Sequence, residues 1–198
     1  MGSIKKIRKK YSKPSHPWRI ARIEEENALT KEYGIPRKTE LWKSIARLES
    51  FKNQTKKLSA LQSKQAQKEK EALTEKLLSY NLIKKGDSSD TILGITLKNM
   101  LDRRLQTIVF KKNLAKTMRQ ARQIITHGHI LVAGKALTSP SYMVRAAEEN
   151  AIEISPKSPF YYANHPERVN EGDLKKKEAK KEKKARERPR RRGDRRKR

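Results

Sequence analysis

The sequence has no cysteine among its 198 residues, which excludes disulfide bonds and thiolate metal sites. It also has no apolar run near the roughly 20 residues that a membrane-spanning helix needs. Its N-terminus lacks the apolar segment of a secretory signal. These absences are compatible with a reducing cytosol, and they predict neither a membrane span nor secretion.

Acidic residues are scarce. There are 22 Asp and Glu against 50 Lys and Arg, which gives a formal net charge of +28. Repulsion on that scale disfavours a compact monomer unless an anionic partner neutralises it. The apolar fraction of 34% is too low for one core across the whole chain. We therefore expect a small folded centre with extended basic arms, bound to a polyanion.

Positive charge without acidic residues is concentrated in the stretch Arg103–Ala147, which has nine Lys or Arg and no Asp or Glu. Its apolar residues nevertheless keep a helical and then a strand-like spacing. The stretch is therefore predicted to be a folded module, with a core on one side and unopposed positive charge on the other. Such a surface is typical of nucleic-acid binding.

The apolar spacing predicts an α+β fold. An N-terminal helical subdomain is predicted to contain three helices, over 18–33, 38–62 and 64–82, with a stop signal at Gly86. It is followed by a small α-then-β module, in which two helices pack on a short mixed or antiparallel sheet. In that module Thr96 is predicted to cap a helix through Phe110, and Thr117 a helix that ends at Gly128. Strands are expected at 129–133, 142–144 and 151–155, with a turn at Gly134-Lys135. The predicted divisions are an extended basic arm over 1–17, the helical subdomain over 18–95, the module over 96–155, a linker or extension over 156–174, and a basic disordered tail over 175–198.

Arg119 and Arg122 are spaced i and i+3, off the apolar seam of the second helix in the module. That spacing predicts two guanidinium groups presented together to adjacent phosphates. Because both lie off the seam, we expect that both could be changed to Ala without loss of the fold.

His127 and His129 flank Gly128 and raise the alternative of a metal site. The chain has only four histidines and no cysteine, and no carboxylate lies nearby in sequence. A hydrogen bond from a helix C-terminal imidazole to backbone or phosphate is the favoured interpretation. We expect no metal and no cofactor.

Both termini are basic. Planar side chains interleave with cations in the N-terminal arm, which favours contacts with nucleic acid through Lys9, Lys10, Tyr11, Lys13, Trp18 and Arg19. A solvated tail or a nuclear-import signal is the alternative for the arm. The C-terminal tail, Lys175–Arg198, has 16 Lys or Arg against four acidic residues, so we expect a disordered polycation in the free protein.

The module resembles a known family. The S4 RNA-binding domain is similar to the run TMRQARQIITHGHILVAGKALTSPSYMV, which joins an Arg-bearing helix, HGH, a strand with a Gly-containing turn, and PSY. The segments before this run also resemble a family, the archaeal and eukaryotic type of this small-subunit ribosomal protein. They read HPWRI, KEYGIPRKTELWK and LGITLKNMLDRRLQTIVFKKNLAKT, so the resemblance covers residues 1 to about 168. Two departures are the absence of the cysteine zinc knuckle of some bacterial members, and Glu149-Asn150 where many domains have Gly-Asp.

The resemblance implies a structural constituent of the small subunit in cytoplasmic ribosomes. Such a protein binds rRNA early, organises a helical junction in the 5′ domain, and lies beside neighbouring ribosomal proteins where mRNA enters the subunit. No membrane or small-molecule substrate is implied. The implied RNA contacts are Arg103, Arg104, Lys111, Lys112, Lys116, Arg119, Arg122, His127, His129, Lys135, Ser139 and Ser141.

The sequence leaves two other functions open. A small-subunit assembly factor that carries the same domain is the main alternative. An enzyme with the domain as an appendage would need a catalytic domain elsewhere. The roughly 90 residues before the module are charge-rich helix without a nucleotide-binding glycine loop or paired catalytic carboxylates. The sequence therefore predicts a protein that is not an enzyme.

Overall fold

A computed structural model describes residues 9–87, 89–162 and 165–169. The fold is α+β, as predicted. The elements of the described chain are α1 (Ile20–Glu32), α2 (Lys38–Ala60), α3 (Lys64–Ser79), α4 (Ser89–Gly94), α5 (Leu97–Asp102), α6 (Leu105–Lys111), α7 (Met118–Thr126), β1 (Ile130–Val132), β2 (Lys135–Ala136), α8 (Ala146–Glu149), β3 (Ile152–Ile154) and a 3-10 turn (Pro159–Tyr161). Across these residues no helix is both long and apolar enough to cross a membrane.

The helical subdomain is built on α2, against which α1, α3, α4 and α5 pack. Its core comes from apolar residues at helical spacing, such as Leu48 and Phe51 of α2 with Leu73 and Leu77 of α3. Helix α3 ends at Ser79, before the predicted end at residue 82 and the predicted stop at Gly86. Asn81 takes the left-handed conformation with φ of 53°, and the Leu82 N–H donates to the Leu77 carbonyl at 3.1 Å. After Gly, Asn is the residue type that adopts the left-handed conformation most readily, so Asn81 can end the helix here.

The C-terminal module, residues 96–155, packs α6 and α7 on a three-stranded antiparallel sheet in the order β2-β1-β3. Both predicted signals around α7 are confirmed. The Gln120 N–H donates to the Thr117 hydroxyl at 3.1 Å, which caps the start of the helix. Gly128 has φ of 75°, and the following His129 N–H returns to the Ile124 carbonyl at 3.0 Å. These bonds set where α7 begins and ends.

The hairpin turn lies one residue earlier than predicted. Val132 pairs with Lys135, so the two-residue loop is Ala133-Gly134, with φ of 48° and 77°. Two positive φ values match the twist of a two-residue hairpin. The predicted strand over 142–144 does not join the sheet. Met143 instead forms an isolated bridge with Arg104.

The predicted helix from Thr96 to Phe110 is interrupted, which corrects the prediction. Thr96 does cap α5, but that helix ends at Asp102 and Arg104 is extended, with φ of −73° and ψ of 143°. The break places backbone groups against the 140–144 segment. The Val144 N–H donates to the Arg103 carbonyl at 3.0 Å, and the Leu105 N–H donates to the Tyr142 carbonyl at 2.8 Å. Tertiary hydrogen bonds thus outweigh the local helical preference.

Apolar contacts cross the predicted boundary at residue 95. Met100 and Met143 of the C-terminal module pack into the core of the helical subdomain. A third cluster joins Tyr33 and Leu41 to Leu101. The buried side chain of Gln106 donates from Nε2 to the Tyr33 carbonyl at 3.2 Å and to the Met118 carbonyl at 2.8 Å. The two parts therefore share a joint of apolar and polar contacts.

Candidate RNA-binding surface

Arg119 lies on the solvent-facing side of α7. Its side chain is exposed, and no ion pair with it occurs within the described ranges. It borders a hollow of about 640 Å³ between the start of α7 and the loop at Gly34–Pro36, together with Lys31 and Lys116. A guanidinium group held by a folded helix loses less side-chain freedom on binding an anion than one on a mobile segment. Among the predicted contacts, Arg119 is thus well placed for RNA phosphate.

Arg122 does not project beside Arg119 as the i, i+3 spacing predicted. Its Nη1 and Nη2 donate to the Glu40 carboxylate at 3.1 and 2.7 Å. Arg104 donates to the same carboxylate from Nη2 at 2.7 Å, and its side chain is only 4% exposed. We call these three residues the Glu40 clamp. It ties α2 to α7 and to the start of α6, so changing Arg122 is expected to affect the stability of the fold.

The electrostatics of the Glu40 clamp follow from this geometry. Burial alone would raise the pKa of the Glu40 carboxyl. Hydrogen bonds and charge from Arg122 and Arg104 more than compensate, so its pKa lies below the ordinary value of 4.5. Glu40 is therefore ionised at neutral pH and neutralises part of the charge of both arginines. Its partners lie 64 and 82 residues away along the chain, and no sequence signal links them.

Two further cations of the predicted surface have carboxylate partners. Arg103 donates to Glu149 at 2.8 Å and is 11% exposed, and Lys111 lies 3.3 Å from Asp102. Among the ion pairs of the described residues, carboxylates from outside the acid-free stretch pair with Arg103, Arg104, Lys111 and Arg122, so its positive charge is partly neutralised by the protein itself. Glu149, which stands where many S4 domains have Gly, is one of those carboxylates.

Aromatic and imidazole rings form a connected series at the end of α7. His127 and His129 are stacked with centroids 6.1 Å apart, His129 is 5.3 Å from Phe160, and Phe160 is 4.6 Å from His165. Burial, and then the neighbouring His127, lower the pKa of His129 below its ordinary value. His129 is consequently neutral at pH 7 and can both donate and accept a hydrogen bond.

The chain after the sheet returns over the start of α7. Lys116 donates from Nζ to the Pro166 carbonyl at 2.8 Å, and Gln120 donates from Nε2 to the Glu167 carbonyl at 2.7 Å. This segment belongs to the linker or extension predicted over 156–174. The ammonium group of Lys116 is therefore hydrogen-bonded within the protein.

The remaining predicted contacts lie in separate places. Lys135 is exposed on the hairpin and Lys112 is half-buried after α6. Ser139 and Ser141, whose hydroxyls are 3.3 Å apart, lie across a groove from Lys9, Lys10 and Tyr11 of the arm. Lys13 and Trp18 line another hollow, with Trp18 87% exposed, and Arg19 is exposed at the start of α1. The predicted tail, 175–198, lies outside the described residues.

Comparisons with known proteins agree with this architecture. The S4 domain family matches residues 103–150, which covers α6, α7, β1, β2 and α8. A small ribosomal subunit protein uS4 of Methanococcus maripaludis (strain C7) is 45% identical over 170 residues, 85% of this chain and 96% of the relative. The protein of the same name from Thermoplasma acidophilum is 46% identical over 169 residues, 84% of this chain and 85% of the relative.

Proposed function

The chain belongs to the uS4 family of small ribosomal subunit proteins, and from that membership we propose that it binds a multi-helix junction in the 5′ domain of small-subunit rRNA. Its general role is the structural, non-enzymatic one of a ribosomal protein in the small subunit. The finer assignment is that it joins the subunit early, organises the junction, and lies beside neighbouring proteins where mRNA enters.

The observation that carries this proposal is identity of about 45% over 85% of the chain and 96% of the relative. The shared length of 170 residues extends well beyond the S4 domain match at residues 103–150, so the similarity to a subunit component also covers most of the helical subdomain. An assembly factor, the alternative function, gains no such support from the relatives' names.

On the C-terminal module we propose Arg119 as the central phosphate contact. It is exposed, it is held by a helix, and it has no carboxylate partner in the described chain. Lys116 lies beside it at the same hollow, and Lys112, His127, His129 and Lys135 are proposed as further RNA contacts elsewhere on the module. Arg103, Arg104, Lys111 and Arg122 would first have to exchange an internal carboxylate for phosphate, so we assign them a secondary part in RNA contact.

Sedimentation separates the proposed function from the alternative. We expect a tagged copy of the protein to be stoichiometric in mature small subunits. Presence only in precursor particles would identify an assembly factor instead. In parallel, filter binding to a transcript of the 5′ domain should show an affinity that falls steeply with salt, since each neutralised phosphate contributes a slope of order one. Nearly salt-independent binding would contradict the proposed mode of recognition.

A further inference from the structure

The segment that follows β3 folds back over the start of α7. It begins at Ser158, which is only 2% exposed, and its 3-10 turn places the ring of Phe160 against the core of the C-terminal module. The chain then reaches the residues around the start of α7. We call the described parts of this segment, 158–162 and 165–168, the strap. Its inner end is anchored in the core of the module.

The outer end of the strap is held through its oxygen atoms. Lys116 donates from Nζ to the Pro166 carbonyl at 2.8 Å. Gln120 donates from Nε2 to the Glu167 carbonyl at 2.7 Å, and the same nitrogen lies 3.3 Å from the Glu167 carboxylate. Amide and ammonium donors of this kind are the usual protein contacts of phosphate oxygens. Three oxygens of the strap, one of them from a carboxylate, therefore occupy donors that RNA phosphate could also use.

The strap also contacts side chains that we have proposed as RNA contacts. Lys116, which donates to the strap, borders the same hollow as Arg119. The rings of His129 and Phe160 are 5.3 Å apart. His127 and His129 line a second hollow, of about 540 Å³, together with Phe160 and Glu167 of the strap. An RNA strand that takes the ammonium group of Lys116 has to replace the carbonyl of the strap.

We propose that the strap is an autoinhibitory element, whose outer end occupies Lys116 and Gln120 in the free protein and is displaced when RNA phosphate takes these two donors. The inference rests on the proposed function, because it concerns the regulation of the same surface. Besides the hydrogen bonds to α7, displacement breaks the contact of Phe160 with His165, whose ring centroids are 4.6 Å apart. The apparent affinity for RNA is then lowered by the fraction of the protein in which the strap is closed.

Hydrogen exchange of the full-length protein tests the displacement directly. In the closed strap the Arg168 N–H donates to the His165 carbonyl at 3.0 Å, and the Glu167 N–H donates to His165 Nδ1 at 3.2 Å. A saturating transcript of the 5′ domain of small-subunit rRNA should raise the exchange rate of peptides that cover 165–168 by about threefold or more, because a displaced segment loses its local protection. Unchanged or slower exchange there would show that the strap stays closed on RNA.

Two variants of the strap supply an independent measurement. Glu167→Gln removes the carboxylate charge beside Gln120, and His165→Ala removes the ring that packs on Phe160. Each should open the strap and tighten binding to the transcript by about threefold, which is a small effect for one weakened contact. The matched control is Glu153→Gln, which removes the same charge from an exposed position on β3. A gain that comes only from the higher net charge of the protein would appear equally in this control.

The outcomes distinguish the two proposals. Weak binding of every protein to the transcript would overturn the proposed function, and the role of the strap with it. Tight binding with equal affinities for Glu167→Gln and Glu153→Gln, or without faster exchange at 165–168, would leave the proposed function standing and overturn the autoinhibition. Weaker binding of both strap variants, with circular dichroism unchanged, would make the strap part of the RNA-binding surface and would also overturn it.

Discussion

The Glu40 clamp and the groove between the N-terminal arm and helices α2 and α3 use positive charge in opposite ways. In the clamp, Arg104 and Arg122 share the carboxylate of Glu40 at 2.7 Å each, and Arg104 is nearly inaccessible to solvent. In the groove, Lys43, Arg47 and Lys76 are exposed and have no carboxylate partner in the described chain. Yet the arginines come from the acid-free stretch, and the groove cations come from helices that also contain glutamate. The charge along a sequence therefore does not show which cations an external anion can reach.

Burial explains the difference. A guanidinium group that leaves water needs a counter-charge and hydrogen bonds, or its desolvation destabilises the fold by several kcal/mol. Arg104 is buried because the break between α5 and α6 turns it toward α2, where Glu40 receives it. The groove lysines keep their hydration until a ligand arrives. We therefore expect clamp variants to affect stability first and groove variants to affect RNA binding first.

Glu40→Gln should give the largest effect on stability. Two guanidinium groups would lose their counter-charge, and one of them is only 4% exposed. We expect a loss of about 2–4 kcal/mol in the free energy of unfolding, less than for a fully buried pair because Glu40 is partly accessible. Urea denaturation measures it. Glu49→Gln, an exposed glutamate on the same helix, is the matched control and should change stability by no more than about 0.5 kcal/mol. Equal losses in both variants would show that the clamp has no special role.

Changing Arg119 and Arg122 separately should show that Arg119 contributes to RNA affinity and Arg122 to the stability of the fold. Arg122→Ala removes two charge-assisted hydrogen bonds and should lower stability by about 1–2 kcal/mol. Arg119→Ala should leave stability nearly unchanged and weaken binding to the junction transcript by about 1–3 kcal/mol. Denaturation and filter binding on the same preparations provide the two numbers. The opposite assignment, with Arg119 stabilising the fold, would mean that the exposed face of α7 has been misidentified.

Low pH should reduce the stability difference between the wild type and Glu40→Gln. Because the pKa of Glu40 is depressed in the folded protein, its ionised form stabilises the fold above the unfolded-state pKa, and that contribution disappears as pH falls through the folded-state pKa. The stability gap between the wild type and Glu40→Gln should be complete at about pH 6 and should narrow below the ordinary value of 4.5. Denaturant midpoints measured from pH 6 downward test this. A gap that widened in acid would contradict the sign of the shift.

Deletion of Lys175–Arg198 should have the smallest effect on discrimination between RNAs. The tail has a net charge of +12 and no aromatic residue, so it is expected to attract phosphate without reading sequence. Affinity for the junction transcript and for an unrelated RNA of equal length should fall by similar factors, so their ratio should stay constant. Competition binding at matched salt gives that ratio. A large fall in the ratio would show that the tail takes part in recognition.

Local signals in the sequence predicted much of the fold. The hydroxyls of Thr96 and Thr117 cap the helices that were expected to follow them, and Gly128 ends α7 in the left-handed conformation. Such signals act over a few residues, so a single sequence contains them in full. The predictions that differed involve partners far along the chain. The helix from Thr96 is interrupted by hydrogen bonds to the 140–144 segment, and the expected strand over 142–144 pairs with Arg104.

The sequence by itself determined that this protein is a cysteine-free polycation with an α+β fold, and its long motif identified the family. Only the tertiary structure decided which cations face solvent. Glu40, 64 residues before Arg104, engages two arginines that look available in the sequence, while Lys43, Arg47 and Lys76 are gathered with the arm into one groove. The physical reason is that local conformation depends on neighbouring residues, whereas the electrostatic environment of a side chain depends on whatever folding brings within a few ångströms of it.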